Sequence, residues 1–178
     1  IQEALNQNTN VTITTGNTGE QVGNITVEAD IAKTEGNSST TLTLQAANNI
    51  VVLDDVFIVS LNEQGSLNVT LNSDRDSSSR GAINIGSGAS ITSNGGDVVL
   101  GGGTNPSQSP AVGTPNLITG VLIQGTIDSG GGNININGRG FEGANEEVEP
   151  DGVDLQNESP NEIAQILANG GDIIINGI

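Results

Sequence analysis

The residues best suited to chemistry in this chain are carboxylates and amides. Asn72, Asp74 and Asp76 place oxygen side chains at alternate positions of Asn72-Ser73-Asp74-Arg75-Asp76-Ser77-Ser78. A hard cation such as calcium takes donors of this kind. The segment has Ser77 where a helix-flanked calcium loop has its sixth-position glycine, and Ile83 where that loop closes with glutamate. Calcium is therefore a candidate ligand, and no other cofactor is expected. The competing reading is a polar corner loop in which Arg75 and Arg80 offset Asp74 and Asp76.

A second acidic pair, Asp54-Asp55, raises the question of sugar hydrolysis, which needs two carboxylates across one bond. Neighbours in a strand point to opposite faces, so this pair converges only at a bulge or turn. A polysaccharide-acting enzyme would gather Asp54, Asp55, Asp74 or Asp76 in one cleft. Against it stand the absence of histidine, the commonest acid–base residue, and an aromatic complement of only Phe57 and Phe141. The expectation is no enzyme, with no catalytic residues. A third possibility is an ice- or glycan-binding module. It would need Thr12, Thr14, Thr26, Thr41 and Thr43 on one flat exposed face, although threonine is also simply a good outward strand residue.

The elements that must position these groups are short strands. Gly95-Gly96-Asp97-Val98-Val99-Leu100-Gly101, Gly131-Gly132-Asn133-Ile134-Asn135-Ile136-Asn137-Gly138 and Gly170-Gly171-Asp172-Ile173-Ile174-Ile175-Asn176-Gly177 repeat one phrase, a small turn and then an alternating strand. Gly23-Asn24-Ile25-Thr26-Val27 and Gly65-Ser66-Leu67-Asn68-Val69-Thr70 are looser copies. One-strand units cannot bury an apolar face alone and must stack on their neighbours. That predicts an all-β solenoid with Val11, Ile13, Ile25, Val27, Leu42, Leu44, Leu67, Val69, Leu71, Ile83, Ile85, Val98, Leu100, Val121, Ile123, Ile134, Ile136, Ile173 and Ile175 inward. Phrase spacings of 36 to 42 residues predict either two coils per phrase or one coil with an insertion.

Two stretches break the rhythm. Residues 101–116 hold three of the five prolines and read as a loop. Residues 139–170 are acidic, with Glu142, Glu146, Glu147, Glu149, Asp151, Asp154 and Glu158. They end in a helix signal: Ser159 as N-cap, Pro160 at the first position, Ile163, Ile166 and Leu167 on one face, and a stop at Asn169-Gly170. Val99, Leu122 and Ile174 are apolar yet outward, which predicts that the insertions fold over them.

Composition bounds the partners. The chain has 178 residues, 21 acidic and 4 basic, for a formal charge of −17. Its cations are Lys33, Arg75, Arg80 and Arg139. Such a surface repels phosphate backbones and anionic lipid, so nucleic acid is not an expected partner. No apolar run approaches a membrane span, and none is expected to insert. The Ile1 start and the strand phrase running to Ile178 predict a piece of a longer chain.

The wording of VTITTGNTGEQVGNITVEADI, LTLQAANNIVV, LNVTLNSD, GAINIGSGASITSNGGDVVLGGG and GGNININGRG resembles the repeat region of filamentous-haemagglutinin-type adhesins, the exoproteins of bacterial two-partner secretion, in cyanobacterial phrasing. The resemblance covers residues 10–138 and 170–178. The family's N-terminal secretion-signal motifs are not found, and residues 139–159 depart from the repeats. The resemblance implies a right-handed parallel β-helix, export through an outer-membrane partner, and a secreted or cell-surface adhesive rod that meets a receptor or glycan on a host or neighbouring cell. The resulting expectation is a single β-solenoid segment, residues 1–178, with insertions at 101–116 and 139–170.

Overall fold

A strand with one apolar and one polar face is stable only when a neighbour continues both faces, and the chain meets that condition by winding. The computed structural model describes residues 1–16, 22–61, 65–143, 150–160 and 162–178. It is a right-handed parallel β-helix of three sheets. The first sheet stacks β1 (Val11–Thr14), β4 (Thr40–Gln45), β7 (Leu67–Ser73), β10 (Val98–Gly102), β14 (Ile134–Arg139) and β17 (Ile173–Gly177). The second stacks β2 (Ile25–Val27), β5 (Ile50–Val52), β8 (Ile83–Ile85), β12 (Val121–Ile123) and β15 (Val153–Leu155). The third stacks β3 (Ile31–Lys33), β6 (Phe57–Ser60), β9 (Ser90–Thr92), β13 (Thr126–Asp128) and β16 (Gln165–Leu167). Neighbouring strands within each sheet run parallel.

Register sets the coil length. Equivalent positions are 31 residues apart from Val11 to Leu42, 27 from Leu42 to Val69 and 29 from Val69 to Val98. They are 36 apart from Val98 to Ile134 and 39 from Ile134 to Ile173. The long spacings are thus one coil plus an excursion, not two coils. The 42-residue step from Ile25 to Leu67 joined two different sheets.

Inward residues stack in columns. Leu42, Val69, Val98 and Ile134 form one, and Leu44, Leu71, Leu100 and Ile136 a second; both are buried. Ile50, Ile83 and Val121 continue the core on the second sheet, and Ile58, Ile91 and Ile127 on the third. β-branched side chains suit these columns because they pack on a stacked pleat without losing many rotamers. Ile13, Ile173 and Ile175 keep the inward register yet are 37%, 44% and 47% exposed, each covered from one side only. Before β1, the short helix α1 (Gln2–Asn6) packs against β3 and β4 and buries Leu5 fully.

The helix expected at 160–167 does not form. Ser159 and Glu162 make an antiparallel bridge, and Gln165–Leu167 is β16, with Ile166 opposite Ile127. The local signal carries little energy, whereas pairing with β13 satisfies the backbone and packs Ile166 against the core.

The excursions leave from the ends of strands. Residues 103–110 depart between β10 and β11 (Ala111–Val112), which resumes pairing against β14. The loop lies on the outer face of the first sheet, where Asn135 Nδ2 donates to Ser107 O (3.2 Å) and Asn137 Nδ2 to Pro106 O (2.9 Å). Outward Leu122 borders a small cavity with Leu117 and Ile118, so this insertion shelters it. Ile174 is not sheltered and stands 51% exposed. In the second excursion, Glu146, Glu147 and Glu149 lie outside the described residues.

Candidate functional site

The three sheets meet at three corners, and two of them differ in kind. At the corner from the third sheet back to the first, the same side chain recurs. Lys33 stands over Ser60, and the register continues through Ser93 and Ser129 to Ala168. Ser60, Ser93 and Ser129 are buried, and each donates its hydroxyl to the carbonyl of a glycine a few residues on: Gly65, Gly96 and Gly132. The turns Asn94-Gly95 and Gly130-Gly131 have positive φ, from 52° to 120°. Gly96 and Gly132 follow where there is no room for a side chain: a Cβ would come within 2.5 Å of Leu67 O and 2.1 Å of Gly96 O.

Beside this corner runs a polar column. The Asp97 N–H donates to Asn68 Oδ1 (2.9 Å), the Asn133 N–H to Asp97 Oδ1 (2.8 Å) and the Asp172 N–H to Asn133 Oδ1 (3.0 Å). Lys33, fully buried, donates to Glu35 O (2.6 Å), Leu5 O (3.4 Å) and Gly36 O (3.5 Å), which ties α1 to the first coil. Neither the serine column nor the role of Lys33 is evident from strand alternation. The only signal available was the small residue preceding each glycine turn.

The corner from the first sheet to the second is variable and open. Its turns contribute to a cavity of about 430 Å³ lined by residues of four coils. Asn24, Asn48 and Asn49 form its floor, Asp76 and Arg80 one wall, and Asn116 its far end. The floor is fixed by internal bonds: Asn48 Nδ2 and the Asn49 N–H both donate to Asn24 Oδ1 (2.8 and 3.1 Å), and Asn49 Oδ1 accepts from the Ala82 N–H (2.9 Å). Its wall is clamped from behind by Arg75, whose Nη2 donates to Thr15 O across two coils (2.7 Å).

The calcium candidates occupy this wall but have separate surroundings. Asn72 is buried on the outer side of β7, and its Oδ1 has no hydrogen-bond partner among the described residues. Asp74 is buried, has φ of 47°, and accepts from Ser78 Oγ (3.1 Å). Burial pushes the Asp74 carboxyl above its ordinary value and the nearby Asp76 charge adds to that, while the backbone N–H groups of Arg80 and Ser78 oppose it. Asp76 is exposed and accepts from the Ser78 N–H (3.3 Å). Among the described residues no three carboxylates gather as a metal site would require.

Asp54 and Asp55 belong to a different corner, between β5 and β6, so the four aspartates do not share a cleft. Asp54 Oδ1 accepts from the Ser87 N–H of the next coil (3.0 Å), a stacking contact. The threonines also divide. Thr12, Thr43 and Thr70 stack on the outer face of the first sheet, where Val99 ends their column. Thr26 lies on the second sheet, so the expected single five-threonine face does not exist.

Among the described residues no helix is long and apolar enough to cross a membrane. Comparison with protein-family models, curated proteins and solved structures returns no match.

Proposed function

We propose that the chain serves as a rigid β-helical segment of a secreted or cell-surface bacterial adhesin. The supporting observation is the repetition itself: apolar columns and the serine–glycine corner pass from coil to coil while whole side chains and loops vary outside them. A scaffold of this kind presents variable turns at fixed spacing, and binding residues sit disproportionately on such loops. The phrasing shared with two-partner exoproteins supports export through an outer-membrane partner and contact with a receptor or glycan on another cell. The fixed charge of −17 favours a soluble, self-repelling rod over attraction to nucleic acid or anionic lipid.

Labelling intact cells that make the chain with antibody against it tests this reading. Strong labelling without permeabilisation, lost when the outer-membrane partner is inactivated, is expected. Labelling that requires lysis overturns it.

A further inference from the structure

We propose that the open corner groove binds a neutral oligosaccharide of about three sugar units, an inference that deepens the adhesive part of the function above and rests on it. The groove crosses turns of four successive coils, which at the strand spacing of a sheet is about 14 Å along the axis. A short glycan has that length, and the enclosed volume of about 430 Å³ accepts one.

The lining chemistry selects the class. Asn24, Asn48, Asn49, Asp76, Arg80 and Asn116 are all planar side chains that carry paired donors or acceptors. Hydroxyl groups both donate and accept, so a polyol satisfies such a mixed set, whereas an anion meets Asp76 and the net charge of −17. A peptide adding to a sheet edge needs unpaired strand backbone, and the residues lining this groove belong to turns.

The cations sharpen the argument. Lys33 is spent on three carbonyls, Arg75 on Thr15 O, and Arg139 on Glu142 at 3.0 Å. Arg80 is the cation whose guanidinium has no hydrogen-bond or ion-pair partner among the described residues, and it faces the groove. The amides of the floor are held in place before any ligand arrives, which lowers the ordering cost of binding. The groove has no aromatic platform, since neither Phe57 nor Phe141 lines it. A single site is therefore weak, with Kd on the order of 1 mM.

The test is a 15N–1H correlation titration of the 178-residue chain with maltotriose, cellotriose, mannotriose, galactotriose and chitotriose, each to about 20 mM. At least one sugar is expected to shift the Asn24, Asn48, Asn49 and Asn116 signals together. Arg80→Ala and Asn116→Ala, both at exposed positions, should each weaken that response about tenfold with the melting midpoint unchanged. Thr43→Ala, on the outer face of the first sheet, should leave it intact. No shift at the groove with any of the five sugars overturns the proposal, as does a response abolished by Thr43→Ala and untouched by Arg80→Ala. Surface labelling is read separately, so a correctly exported chain with a silent groove would fail this inference alone.

Discussion

Two corners of one solenoid solve the same problem, turning a chain through one bend per coil, in opposite ways. The corner from the third sheet to the first repeats itself: a buried serine, a positive-φ turn and a glycine against the backbone of the coil before. The corner from the first sheet to the second never uses the same turn twice, and it hosts the strained Asp74, Ser77 and Ser79 turn and the departure of residues 103–110. Repetition is required where backbone packs on backbone, because no side chain fits. Variation is possible where turns project into solvent and each answers only to its own hydrogen bonds. The stacked corner therefore holds the coils together, and the open corner is where a binding surface forms.

Substitutions at the two corners should separate along that line. Gly132→Ala forces a Cβ to about 2.1 Å from Gly96 O, backbone against backbone. It should destabilise by about 3 kcal/mol or more, seen as a large fall in the thermal midpoint by circular dichroism. Ser129→Ala leaves the buried Gly132 and Ala168 carbonyls without their hydroxyl and should cost about 1–3 kcal/mol. Urea unfolding would measure it, and a cost under about 0.5 kcal/mol would mean the serine column is incidental.

Asp74, at the open corner, supplies a pH-dependent contrast. Its folded pKa lies above the ordinary 3.8, so its contribution is fully present below that value and is lost as pH rises through the folded pKa. The difference in midpoint between Asp74→Asn and the parent should therefore move in the variant's favour between pH 3 and pH 7. A constant difference would mean that burial does not act on this carboxyl. Arg80→Ala should have the smallest effect on stability, within about 0.5 kcal/mol, because Arg80 is exposed and its side chain braces nothing among the described residues. Millimolar calcium should likewise leave the midpoint unmoved, since the Asp74 and Asp76 carboxylates already accept bonds from Ser78.

The stacked parts of the fold were legible because they are local. Alternation in Leu67–Ser73 or Ile134–Arg139 states which side chains face the core, and Gly-Gly before Asp97, Asn133 and Asp172 marks the turn. Irregular coil length was not legible, because an excursion such as 103–110 hides inside what is otherwise a continuous strand register. The false helix at 160–167 arose because Ile163, Ile166 and Leu167 satisfy a helical period, while Ile127, 39 residues earlier, decides the matter by pairing. The true helix at Gln2–Asn6 is too short to show a period. The groove was invisible because Asn24, Asn48, Arg80 and Asn116 come together only when four coils stack. Asp76 was noticed as a cation ligand, and the structure places it facing Arg80's groove instead of among other acids.

The contrast between the corners is tested most directly by amide hydrogen exchange in the native state. The N–H groups of Leu67, Ser93, Gly95 and Ser129 donate to carbonyls of neighbouring coils at the stacked corner. Those of Ser77 and Gln108 bond within their own turns at the open side. The account predicts that the first four exchange slowly, at one common rate with one denaturant dependence, as a single cooperative unit does. Ser77 and Gln108 should exchange far faster. Equal rates in the two sets, or a stacked corner that opens coil by coil, would contradict it.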